Sequence, residues 1–112
     1  MTLNEEKLGH VLVLNLAGDI DLTGAKLFRE RIVQVLDRGE QALLIDFTDV
    51  TYINSTGLSV LILAAKRLGG SNGKLALTGV TDSIQRVLKI TGLTSLFAIL
   101  PTRVEALALL AV

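Results

Sequence analysis

Between Asp46 and Leu58 the chain passes within thirteen residues from a buried strand through a polar hinge into a helix, and this passage limits the folds open to it. Leu43-Leu44-Ile45 is a short, unbroken apolar run bounded by a charge, the pattern of a strand covered on both faces. From Leu58 onward Leu61, Ile62, Ala65 and Leu68 recur at three- and four-residue spacing, which is the period of a helix. Asn54-Ser55-Thr56 therefore stands where the first amides of that helix lack intrahelical partners. Side-chain oxygens here act as caps, each worth about 1 kcal/mol. The same free amides and the positive end of the helix dipole also suit an anion, such as a phosphate on Ser55. Taken alone, the three residues favour capping.

The chain has 112 residues, 50% hydrophobic and 20% charged, with zero formal net charge. That length supports one domain, 1–112, around one core. The balanced charge speaks against disorder and against a general nucleic-acid binder, so no direct nucleic-acid partner is expected. No cysteine occurs, which removes disulfides and thiolate metal sites. His10 is the sole histidine and lacks a second to share a metal or a catalytic role. No apolar run reaches membrane-spanning length, and Met1 to Lys7 has the wrong composition for a signal peptide. A cytoplasmic protein without a membrane partner is expected, and the match of Asn54-Ser55-Thr56 to a glycosylation acceptor is set aside for the same reason. Residues 1–56 hold nine acids and five bases, net −4, and residues 57–112 two acids and six bases, net +4. Asp19, Asp21, Asp46 and Asp49 belong to segments expected to meet at one edge.

Hydrophobic periodicity and turn residues order the remaining elements. Leu3 to Lys7 and Val11 to Leu16 form a hairpin through Leu8-Gly9. A helix capped by Thr23 follows, with Ala25, Phe28, Ile32, Val35 and Leu36 inward, Arg29, Glu30 and Arg31 in water, and Gly39 as its stop. Gln41 to Phe47 is the central strand. After the Asn54 helix, Gly69 to Gly73 is a turn and Lys74 to Thr78 a strand. Asp82 with Gln85 reads as a capping box opening a helix with Ile84, Val87 and Leu88 inward, closed by Gly92. Leu96 to Leu100 is the last strand, and Thr102 with Glu105 caps a helix running through Leu107 and Leu110. The order ββαβαβαβα implies right-handed crossovers in a mixed, mainly parallel sheet with an N-terminal antiparallel hairpin and about four helices. Gly18–Asp21, Thr48–Ser55 and Gly79–Asp82 then emerge together at the carboxyl edge of the strands.

Val50 to Leu58, between the strand ending at Asp46 and the apolar helix, closely resembles the phosphorylation segment of bacterial anti-sigma factor antagonists, the STAS-domain family. Gly18-Asp19-Ile20-Asp21 looks like that family's loop after its second strand, and Thr91-Gly92-Leu93 like the loop before its last. The resemblance runs from about Leu3 to Ala108 in one register. It implies that Ser55 is the phosphorylated serine. Many members carry aspartate where this chain has Asn54, and asparagine keeps the capping acceptor without the negative charge.

The resemblance further implies a switch. Unphosphorylated, the protein would bind an anti-sigma factor that is itself a serine kinase using ATP and magnesium, releasing a sigma factor; phosphate on Ser55 would end binding and a serine phosphatase would restore it. If Leu58, Leu61, Ala65 and Leu68 point inward, Ser59, Val60 and Leu63 face outward. The expected contact residues are Asp19, Asp21, Asn54, Ser55, Thr56, Gly57, Ser59, Val60 and Leu63. The patch leaves room for a homodimer. No P-loop, EF-hand or nucleophile elbow occurs, so neither enzymatic activity nor a cofactor or metal is expected. The alternative keeps the fold as a STAS scaffold or auxiliary subunit of a stress-sensing or transport complex.

Overall fold

The computed structural model describes residues 1–111. Among them five strands form one sheet in the order β1 (Thr2–Leu8), β2 (Val11–Ala17), β3 (Ala42–Asp49), β4 (Lys74–Thr78), β5 (Ala98–Leu100). β1 and β2 pair antiparallel and the others parallel. The helices are α1 (Leu22–Asp37), α2 (Ser55–Gly70), α3 (Asp82–Ile90) and α4 (Arg103–Leu110), with a 3₁₀ turn at Leu93–Ser95. The architecture is the expected mixed α/β sheet in the order ββαβαβαβα.

Alternate residues of the central strands serve opposite faces, as the two-residue period requires. Leu12, Leu14, Leu43, Ile45, Phe47 and Leu77 meet Phe28 and Ile32 of α1 and Leu61 of α2. Val11, Val13, Leu44 and Ala76 form a smaller core with Ala106 and Leu110 of α4. This double coverage explains why Leu43 to Ile45 is apolar without interruption. Among the described residues, no helix is long and apolar enough to cross a membrane.

Several boundaries differ from the sequence reading for identifiable reasons. α1 is capped by Asp21, not Thr23: Asp21 is extended (φ −86°, ψ −163°) and its Oδ1 accepts from the Gly24 amide at 2.9 Å. α3 is capped by Thr81, one residue before the expected Asp82. Val87 is 38% exposed, leaving Ile84 and Leu88 as the buried residues of α3. The last strand begins at Ala98 because the chain before it turns through the 3₁₀ segment, and Phe97 fills the core. Arg31 is half-buried against β1 and donates from Nη1 to Glu5 Oε2 at 3.0 Å. Thr102 caps α4 as expected, accepting from the Glu105 amide.

Three carboxylates are tuned by these contacts. Arg38 donates to Glu5 at 2.7 Å and, with Arg31, holds its carboxyl below the usual range against a partial loss of solvation. Arg103 and Asn15 do the same for the exposed Glu6. Burial opposes ionisation of Asp46, but the Thr48 hydroxyl and amide and the Arg103 guanidinium outweigh it and lower its pKa. A carboxylate whose pKa is lower folded than unfolded contributes stability above its unfolded pKa, and this is lost as pH falls through the folded value. Melting temperature should therefore be nearly flat from pH 7 to about 5 and fall below about pH 4, where free carboxylates begin to titrate. Thermal scans across that range test this, and Arg38→Gln should flatten the acid limb.

Candidate functional site

The hinge is built by two loops that join beyond the end of the sheet. The Gly18 amide donates to Asp49 O at 2.9 Å, the Ile20 amide to Tyr52 O at 2.8 Å, and the Asn54 amide to Ile20 O at 2.9 Å. Ile20 and Ile53 form an isolated parallel bridge. The third loop closes against them, since a Cβ on Gly79 would stand 2.2 Å from Thr48 Oγ1 and 2.6 Å from its amide nitrogen. The convergence expected from topology is thus realised by direct packing of all three loops.

Asn54 is the N-cap of α2. It is extended (φ −88°, ψ 178°), and its Oδ1 accepts from the Gly57 amide at 2.8 Å. Ser55 is the first helical residue; it is exposed, and its hydroxyl has no hydrogen-bond partner among the described residues. Capping and display are therefore divided between neighbours, with Asn54 completing the helix and Ser55 left available to solvent. Thr56 and Ser59 are also exposed, and the Ser59 hydroxyl donates to Thr56 O at 2.6 Å.

Val60 is fully buried and cannot belong to a contact surface. The inward residues of α2 are Gly57, Val60, Leu61, Ala64 and Leu68, whereas Leu58, Leu63 and Ala65 are half-buried. The helix is apolar through six consecutive residues, Val60 to Ala65, so hydropathy does not fix its rotation. Gly57 does. A Cβ there would lie 2.7 Å from both Ile20 Cγ2 and Ile53 Cγ1, so glycine lets the first turn settle onto the bridge and turns Val60 inward. Gly57 is itself buried, and its place in the site is as a close-packing residue rather than a contact.

Asp19 and Asp21 are exposed beside the hinge; Asp19 Oδ1 accepts from Thr51 Oγ1 at 2.7 Å, and Asp21 caps α1. Asp46 does not join them. It projects to the α4 face of the sheet, where Arg103 donates to its Oδ2 at 2.8 Å. The four aspartates consequently form no common cluster, and among the described residues no three acidic or histidine side chains are grouped to hold a metal. An open groove of about 320 Å³ is lined by Gly79, Val80, Asp82, Gln85 and Ile99 to Pro101, none of them on the Ser55 helix. Sequence reasoning overlooked two large apolar side chains flanking the bridge, Leu22 at 80% and Tyr52 at 52% exposure. Their signal was present: each sits beside a cap or hinge residue, out of phase with the buried stripe.

Residues 2–106 match the model of the STAS domain. The chain is 35% identical over 86 residues to the anti-sigma-B factor antagonist of Bacillus subtilis, covering 77% of this chain and 78% of that one. A crystal structure of an anti-sigma factor antagonist from Mycobacterium paratuberculosis superposes with a TM-score of 0.90 at 28% identity, covering 99% of this chain and 94% of that one. The Bacillus cell fate determinant SpoIIAA, solved in its phosphorylated form, shares the fold at a TM-score of 0.76 and 18% identity, covering 96% and 97%. A match across nearly the whole chain, with the loops and hinge assembled as described, makes this protein a member of the STAS domain family, similar in sequence and fold to its anti-sigma factor antagonists.

Proposed function

We propose that this protein is an anti-sigma factor antagonist whose Ser55 is a phosphorylation switch. Unmodified, the surface formed by Asp19, Asp21, Asn54, Ser55, Thr56 and Ser59, with the half-buried Leu63 at its margin, docks an anti-sigma factor and so frees a sigma factor. That partner is a serine kinase acting on Ser55 with ATP and magnesium, and a serine phosphatase resets the switch. The observation that carries this reading is the exposed, unpartnered Ser55 hydroxyl on the first residue of a helix already capped by Asn54.

A phosphate there adds a charge of about −1.5 to −2 and three acceptor oxygens. Neither residues 17–25 nor residues 48–65 contain a lysine or arginine, whereas they include Asp19, Asp21 and Asp49. The added charge is thus left unneutralised by the loops that form the hinge. The Asn54 cap does not depend on the Ser55 hydroxyl, so the fold persists while a docked partner meets a new, strongly hydrated charge. Phosphorylation of the SpoIIAA relative supports the same reading.

Calorimetric titration against the anti-sigma factor that the unmodified protein captures tests it. Ser55→Ala should bind as wild type does. Phosphorylated protein should bind roughly a hundredfold more weakly, the scale of an uncompensated charge in an interface, and Ser55→Asp should fall between them. Equal affinity of all forms would remove the switch and leave a phosphorylation-independent scaffold role.

A further inference from the structure

β3 carries one more residue than β2 over the stretch that leads to the hinge. Asn15 is opposite Asp46, yet Ala17 is opposite Asp49, so a bulge falls at Phe47-Thr48. Asp46 holds this bulge with one oxygen: Oδ1 accepts from the Thr48 amide at 2.9 Å and from the Thr48 hydroxyl. Its other oxygen, Oδ2, accepts from Arg103 Nη2 at 2.8 Å. Arg103 is the first residue of α4 and also donates to Glu6 on β1 at 2.7 Å and to Asn15 on β2. One planar guanidinium therefore ties three strands together on the face opposite α2, a geometry that a lysine does not reproduce.

At the bulge β3 parts from β4, whose last paired residue Thr78 lies opposite Asp46, while it stays paired with β2 as far as Asp49. Immediately after it the Val50 amide donates to Phe47 O at 2.9 Å, and the Gly18, Ile20 and Asn54 amides make the bonds that join the two loops. Gly79 closes on Thr48 from β4. We propose that Arg103 is a positioning residue for the Ser55 hinge: through Asp46 it fixes the Thr48 bulge, and so couples the start of α4 to the hinge on the other side of the sheet. A contact that drew Arg103 away from Asp46, such as an acidic surface docked at the start of α4, would then be felt at Ser55. The inference rests on the proposed role of Ser55 for its significance only, because the coupling itself is measurable without partner, kinase or phosphate.

Amide hydrogen exchange of the full chain, followed by NMR, tests the coupling in wild type, Arg103→Gln and a control, Arg67→Gln, which breaks the exposed Arg67–Asp37 pair. In Arg103→Gln, exchange at Thr48, Val50, Gly18, Ile20 and Asn54 should rise about tenfold, as loss of a charge-assisted bond implies. Exchange at Ala64 and Leu68 in α2 should stay within about twofold of wild type, and the control should leave the hinge unchanged. Arg103→Lys should restore protection only in part. Asp46→Asn, which keeps an acceptor for Thr48 but loses the charge facing Arg103, should give the same regional pattern and serves if Arg103→Gln does not fold. Unchanged hinge exchange, or acceleration spread evenly over hinge and core, would overturn the proposal. Loss of Ser55-dependent partner binding with this pattern intact would instead overturn the switch alone.

Discussion

Val60→Asp should unfold the protein, whereas Ser59→Asp one residue away should leave it folded. Val60 has no exposed surface and packs in the main core with Leu61 and Ala64. A carboxylate there either remains charged without a partner or takes up a proton at a cost, and the loss should be about 4–5 kcal/mol. That approaches the whole stability of a domain this size, about 5–15 kcal/mol. Ser59 is exposed in the second turn of α2, so its replacement should shift stability by no more than about 0.5 kcal/mol. Urea denaturation followed by circular dichroism distinguishes the two. Equal, small effects would restore the rotation of α2 that sequence spacing suggests, with Val60 on the surface.

A second large effect is expected at Gly79. Its φ of +68° lies in the left-handed region, and a Cβ would intrude on Thr48 Oγ1 at 2.2 Å and Thr48 Cα at 2.8 Å. Alanine costs about 1–2 kcal/mol for the backbone conformation and about 1–3 kcal/mol for overpacking. Gly79→Ala should thus lose about 3 kcal/mol and lower the melting temperature by roughly 12 °C or more. Gly39→Ala supplies the reference, because Gly39 has a φ of +86° but nothing within 4 Å of its Cβ position. It should lose only the backbone component. If the two variants melt together, Gly79 and Thr48 are not in contact and the third loop does not brace the hinge.

The strands and the order of elements were legible because burial on both faces leaves a mark that needs no knowledge of neighbours: Leu43-Leu44-Ile45 is apolar without a break. Thr102 was legible as a cap for a similar reason, since a capping hydroxyl and Glu105 lie within one turn. Thr23 misled because Asp21, two residues earlier, offers the same chemistry, and the extended backbone at Asp21 decides between them. Leu96 misled because apolar residues serve a 3₁₀ turn and the core as readily as a strand.

The site divides in the same way. Sequence alone determined the Asn54-Ser55 hinge, since a strand-to-helix transition and a polar triplet are both local features. It also determined that Gly18–Asp21 and Thr48–Ser55 share an edge, because loops that follow parallel strands leave the sheet at the same, carboxyl end. Only the tertiary structure decided which way α2 is turned, that Gly57 and Val60 are interior, and that Asp46 answers to Arg103 across 57 residues of sequence rather than to Asp19 and Asp21. Rotation of a helix that is apolar on most sides is set by the closest approach of its neighbours. The partner of a charge is set by which strands the fold places side by side, and neither quantity is written in local spacing.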